Sequence, residues 1–282
     1  LQWRRWRRRC VVPTHAHDAA LAQLPAGHVP LIQWVLRWLR RPPAALDDDA
    51  LWQAVCTGCA WVAALDPPRQ HRLRALTTQF LQQKTISPVH GLTLTPHDAV
   101  LLAATCCLPL LNIGAAGWRG WSQLIVYPDA FRVQRTHMDA AGVMHAWDDT
   151  LIGEAWEHGP LIVSWADVQT DLAVPSAGLN EMAHKLDALD GALDGTPPLP
   201  AAQFRDWARD FQQAYTAFCR QVDAGTQTDI DPYAAEAPEE FFAVLSEYHF
   251  SAPQVIAREM PRVAAHLTRF YGASPFAHTP PN

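Results

Sequence analysis

The sequence predicts an α+β fold dominated by helices, and three observations carry that expectation. Apolar residues recur at helical spacing over most of the chain, whereas only two short runs read as strands. Apolar residues make up 49% of the total, enough for a substantial core and too many for general disorder. At 282 residues the chain accommodates one large domain or two small ones.

Residues 1–45 alternate proline, arginine and short apolar runs, and are expected to form a basic, mobile N-terminal extension. Within it, residues 31–39 have the spacing of a short basic amphipathic helix, stopped before Pro42 and Pro43. Residues 51–81 are helical in pattern, with a break at Asp66-Pro67-Pro68. A second helix is predicted over 96–108, with Thr95 as N-cap and Pro109 as terminator. Gln123-Leu124-Ile125-Val126-Tyr127-Pro128 reads as a strand ended by proline, and Leu161-Ile162-Val163-Ser164-Trp165 as another. The stretch between them, 133–158, is mixed and reads as hairpin or loop. A duplicated Ala-Leu-Asp-Gly (188–191 and 192–195) reads as a helix end running into a turn. Helical patterning resumes over 200–224 and 238–248.

Charge and cysteine usage exclude several classes. The net charge is −6 although the first nine residues hold five arginines and no acid, so the rest is more acidic still. General nucleic-acid binding is not expected of such a body. No run of about 18 apolar residues is present, so no membrane span is expected. Six cysteines are too sparse for a disulfide scaffold in a chain this long. Cys56-Thr57-Gly58-Cys59 has metal-ligand spacing, but no second close pair completes a four-ligand site, and the two read as small core residues. A reducing cytoplasm is the expected location.

The chemistry concentrates in Asn180-Glu181-Met182-Ala183-His184. This is the second half of H-E-x-x-H, in which histidines at i and i+4 share a helix face and hold one metal ion. The Glu at i+1 then lies beside the metal, where it polarises bound water. Here Asn180 stands where the first His belongs. Taken alone, the fragment has a plain structural reading: Glu181 supports the helix dipole, His184 sits at a core edge, and Glu240 is an ordinary first-turn acid.

Other blocks extend the pattern in order. They are Leu81-Gln82-Gln83-Lys84, Ile125-Val126-Tyr127-Pro128, the stretch from Gly159 to Val168, Ala183-His184-Lys185-Leu186-Asp187, Asp231-Pro232-Tyr233-Ala234-Ala235, and the stretch from Pro238 to Tyr248. Together, over residues 51–271, they resemble the Mlc titration factor A family, bacterial cytosolic zinc metallopeptidases of aminopeptidase type. The resemblance implies a zincin-like metallopeptidase core over residues 46–273, followed by a C-terminal tail over 274–282. It implies Zn2+ as cofactor, His184 and Glu240 as metal ligands, Glu181 as general base and Tyr233 as a catalytic tyrosine near the metal. The strand over 161–165 would flank the active-site helix and pair with substrate backbone.

The departure from the family pattern lies at Asn180. The family runs Asn, three mostly apolar residues, His, then Glu, so the resemblance implies that one turn has been lost here with its His. About four residues make one turn, so a helix absorbs the loss with little change of face. Asn180 then stands four residues before His184, as an N-cap over a shortened helix. His249, the nearest alternative ligand in sequence, lies about half a turn off the face of Glu240; Glu247 shares that face. Two readings follow. One is a peptidase acting on peptide substrates; the other is a catalytically impaired form that binds a transcriptional repressor.

Overall fold

The computed structural model describes residues 49–129, 131–138, 144–151, 153–155, 159–170, 172, 177–190 and 192–277, without the side chains of 131–155, 177–180 and 190. The N-terminal extension, its 31–39 helix, Cys10 and the end of the C-terminal tail lie outside the described residues.

The 51–81 segment folds as α1 (Asp49–Gly58), α2 (Ala60–Ala63) and α3 (Pro67–Gln83). Asp66 caps α3 by accepting from the Arg69 backbone N–H at 2.9 Å, and Pro67 takes the first helical position, where no N–H is needed. After β1 (Thr85–Pro88) comes α4 (Pro96–Cys107), opened by a reciprocal Thr95–Asp98 capping box. Every residue of α4 from Ala99 to Cys107 is buried, so this helix carries no polar face and forms the centre of the core.

Two sheets follow. The larger has the order β1-β2-β6-β5, with β2 (Gln123–Tyr127), β6 (Leu161–Ser164) and β5 (Gly153–Ala155). β1, β2 and β6 are parallel, with Ile86 beside Leu124 and Leu124 beside Leu161. β5 runs antiparallel to β6, with Glu154 opposite Ile162. All four residues of β6 are buried, which is why it reads as a continuous apolar run and not as an alternation. β3 (Phe131–Met138) and β4 (Met144–Leu151) pair separately as an antiparallel hairpin, from Phe131 opposite Leu151 to Met138 opposite Met144. Two expectations about the 161–165 strand are corrected. Trp165 opens the short helix α5 (Trp165–Thr170), and β6 is paired on both sides, so its backbone has no edge to offer a substrate. The edge on that side of the sheet is β5.

The remaining helices are α6 (Ala177–Asp187), α7 (Ala201–Asp223), α8 (Pro238–Ser251), α9 (Pro253–Glu259) and α10 (Pro261–Tyr271). α9 and α10 each begin on a proline that ends the preceding element and starts the next. α7, α8 and α10 join through aromatic rings: Trp207 stacks on Phe211 at 4.1 Å, and Phe242 meets Trp207, Phe211, Phe270 and Tyr271. The buried Asp210 and His266 pin α7 to α10 with a side-chain contact of 3.0 Å. The architecture is mainly helical α+β, with a small mixed sheet. Among the described residues no helix is long and apolar enough to cross a membrane.

The cysteines behave as core residues. Cys56, Cys59, Cys106 and Cys107 are buried free thiols, and burial pushes Cys59 and Cys106 up to about 12.

Candidate metal centre

α6 lies between β5 and β6 on one side and α8 on another, and it also touches α4. From Glu181 to Asp187 every residue is buried, although four of the seven are ionisable. Burying charge is costly unless it is paired, so these side chains are expected to be partnered or held for chemistry.

The helix begins at Ala177, a turn earlier than a cap at Asn180 would allow. Asn180 is therefore inside α6 and is not its N-cap; its side chain lies outside the described residues. The backbone runs unbroken through Glu181 and His184, so the implied loss of one turn is compatible with a continuous helix.

On α8, Pro238 takes the first helical position and Glu239 and Glu240 follow in the first turn, where the helix dipole favours acids. This places the Glu240 carboxylate against His184, with Nε2 and Oε2 3.3 Å apart and both residues buried. The two atoms lack the alignment of a hydrogen bond. The separation itself is informative. A tetrahedron with metal–ligand bonds of about 2.0–2.1 Å has edges of about 3.3 Å. His184 Nε2 and Glu240 Oε2 thus stand as two corners of a zinc tetrahedron do.

The surrounding field is negative. Burial pulls the His184 imidazole down, but the close Glu240 carboxylate, with Glu181 and Asp187 beyond it, raises it above its ordinary value. A site that draws a proton onto a buried imidazole in this way is one that attracts a cation. Asp187 has an opposite problem: burial lifts its carboxyl to about 7, against the pull of the Gly195 N–H bonded to it at 2.8 Å.

Lys185, next to His184, supplies the compensating charge. It is 2% exposed, donates to the Gly159 carbonyl at 2.8 Å, and lies 5.8 Å from the Trp121 ring centroid. Burial lowers it to about 7, while Glu181 opposes that shift and Lys84 adds to it. Lys84 sits over the same ring at 4.4 Å and donates to the Trp118 and Trp121 carbonyls. The Trp121 ring is thus approached by a half-buried and a buried ammonium group.

Of the four residues implied for the site, the structure brings His184 and Glu240 into contact, with Glu181 in the same buried field. Tyr233 stands on the 3-10 turn Pro232–Ala235 just before α8, half-buried and packed on the core, its N–H donating to Asp231 at 2.9 Å. His249 does not approach the pair. Its Nε2 meets the Gly272 carbonyl at 3.1 Å, and burial lowers it to about 4. The pair thus offers two donors, and among the described residues no group of three or more His, Cys, Asp or Glu side chains is placed to hold a metal ion.

Asp187, Lys185 and Trp121 went unassigned in the sequence. Their signal was there in part: ionisable residues at 181, 184, 185 and 187 cover more than one face of a helix flanked by apolar strands, which no amphipathic surface helix requires.

Comparison with known proteins identifies the family. A family model for glucose-regulated metallo-peptidase M90 matches residues 34–272. Mlc titration factor A of Yersinia pestis (strain Pestoides F) is 35% identical over 252 residues, covering 88% of this chain and 92% of the relative. Mlc titration factor A of Yersinia pseudotuberculosis serotype O:1b (strain IP 31758) matches with the same identity and coverage. The chain belongs to the Mlc titration factor A family of glucose-regulated M90 metallo-peptidases.

Proposed function

We infer that this protein is a zinc metallopeptidase of aminopeptidase type, with a zincin-like core over residues 46–273 and a metal site reduced by one histidine. The observation that supports this most is the 3.3 Å approach of His184 Nε2 to Glu240 Oε2 at the edge length of a zinc tetrahedron. His184 and Glu240 would hold the metal. Zinc, when bound, acidifies water and polarises a carbonyl. Glu181, in the buried field of these ligands, receives the water proton on its carboxylate and returns it to the leaving amine. Lys185, whose charge offsets that of Glu181, balances part of the buried negative charge around the base. Tyr233 supplies the hydroxyl that steadies the oxyanion. The edge strand β5, antiparallel to β6 and against α6, offers its backbone to an extended peptide. The buried free thiols favour a reducing cytoplasm.

The test is elemental analysis of the purified chain together with turnover of amino-acid anilides. Stoichiometric zinc is expected, with activity falling about 10²–10⁴-fold in Glu181→Gln, the usual contribution of a general base. Turnover unchanged by Glu181→Gln would sink the mechanism.

A second reading has its own support, the lack of a third donor among the described residues. In that reading the chain is a binding module for a transcriptional repressor, as the relatives' name, Mlc titration factor A, invites. Zinc-free protein that gains metal and activity when three apolar residues and a His are inserted before Glu181 would favour it.

A further inference from the structure

We propose that Asp187 is a positioning residue that holds Glu240 against His184 by way of Gly195; this rests on the metal-centre reading above. Asp187 ends α6, is fully buried, and accepts the Gly195 N–H on Oδ2 at 2.8 Å. Gly195 adopts φ +80°, and a Cβ built there would lie 2.4 Å from the Pro238 carbonyl oxygen, 2.8 Å from its carbon and 3.3 Å from Glu239 N. The backbone at Gly195 is thus seated directly on the first peptide of α8, two residues before Glu240. That end of α8 has no side-chain cap of its own at Ala237, and its first helical amide bond is Phe241 N–H to the Ala237 carbonyl at 2.9 Å.

The connection is physical at each step. One helix carries His184 and, less than a turn later, the carboxylate that fixes the 192–195 turn. The turn in turn abuts the start of the helix that carries Glu240. Without the Asp187 bond the turn is free to lift, and Pro238 loses the surface that sets its height. Among the described residues Asp187 does not complete a three-donor group with the pair. Its role is to set the separation between the two donors, the kind of support whose loss costs about 10–100-fold in metal affinity. Glycine at 195 is required twice, by its positive φ and by the absence of a Cβ against Pro238.

The experiment compares the full chain with Asp187→Ala, Asp187→Asn and Glu240→Ala. Amide exchange is read on metal-free protein at Gly195 and Phe241, referenced to core amides of α4 that report global unfolding. Exchange roughly tenfold faster at both positions in Asp187→Ala, and near wild type in Asp187→Asn, which keeps the acceptor oxygen, is the expected result. Exchange at Phe241 that does not respond to Asp187→Ala overturns the proposal. Zinc affinity is then measured by competition with a chromogenic chelator. A roughly 10–100-fold loss in Asp187→Ala that does not add to the loss in Glu240→Ala supports action through Glu240; additive losses overturn it. Wild-type protein that takes up no zinc overturns the metal-centre reading instead, while the exchange result still decides whether Asp187 positions α8.

Discussion

Gly195→Ala perturbs the contact between the 192–195 turn and α8 most directly, and its cost can be worked from the structure. At φ +80° an alanine is held in the left-handed region, which costs about 1–2 kcal/mol. Its Cβ would stand 2.4 Å from the Pro238 oxygen, where ordinary contact begins at 3.4 Å, so the turn and the start of α8 must separate by about 1 Å. Strain and displacement together should destabilise the protein by about 2–4 kcal/mol, lowering Tm by roughly 5–15 °C. The same displacement carries Glu240 away from His184, and an error of about 1 Å at a reacting centre costs on the order of 100-fold in activity. Gly91 provides the control, because its φ is +79° but a Cβ there meets nothing within 4 Å. Gly91→Ala should show the backbone cost alone, about 1–2 kcal/mol, and leave zinc affinity and turnover unchanged. Thermal denaturation, chelator competition and anilide hydrolysis on both variants decide the matter. Gly195→Ala no less stable than Gly91→Ala, with zinc affinity intact, would refute the reasoning.

Other outcomes follow from the same structure. His249 is lowered to about 4 from its ordinary 6.5, so on acidification the unfolded chain binds the proton first. Its contribution is fully present above pH 6.5 and is lost as pH falls toward 4, by up to about 3 kcal/mol, and denaturant melts of His249→Gln should show that acid slope flattened. Lys185→Ala removes a buried cation that balances Glu181 and leaves the Gly159 carbonyl without its donor; urea denaturation should show a loss of about 3–5 kcal/mol. Thr95→Ala breaks the capping box of α4 and should cost about 1 kcal/mol in the same assay, with no change in metal content. Cys59, raised to about 12 by burial, should resist thiol reagents at neutral pH until the protein unfolds.

Much of the fold was legible because its signals are local. Asp66-Pro67 announces the start of α3, Thr95-Pro96 with Asp98 announces α4, and the run Leu161-Ile162-Val163 announces a buried strand. α9 and α10 were harder to read, since Pro253 and Pro261 look like breakers when they are also first helical residues. β1 was missed because Thr85-Ile86-Ser87-Pro88 is four residues long and gains strand character only from pairing with β2. The pairing order was not legible at all, because nothing local in Leu161–Ser164 distinguishes an interior strand from an edge.

The site divides in the same way. The sequence by itself supplied the candidate groups: Glu181 and His184 from a partial motif at helical spacing, Tyr233 and Glu240 from the resemblance of the ordered blocks to a family. It also showed Asn180, not a histidine, directly before Glu181. Only the tertiary structure decided that His184 and Glu240 meet at 3.3 Å, that His249 turns away to Gly272, and that Asp187 reaches Gly195 under the start of α8. Those contacts join segments separated by as many as 56 residues, and their distances are set by how α6, α8 and the turn between them pack. Packing of that kind depends on the whole core, and no short stretch of sequence encodes it.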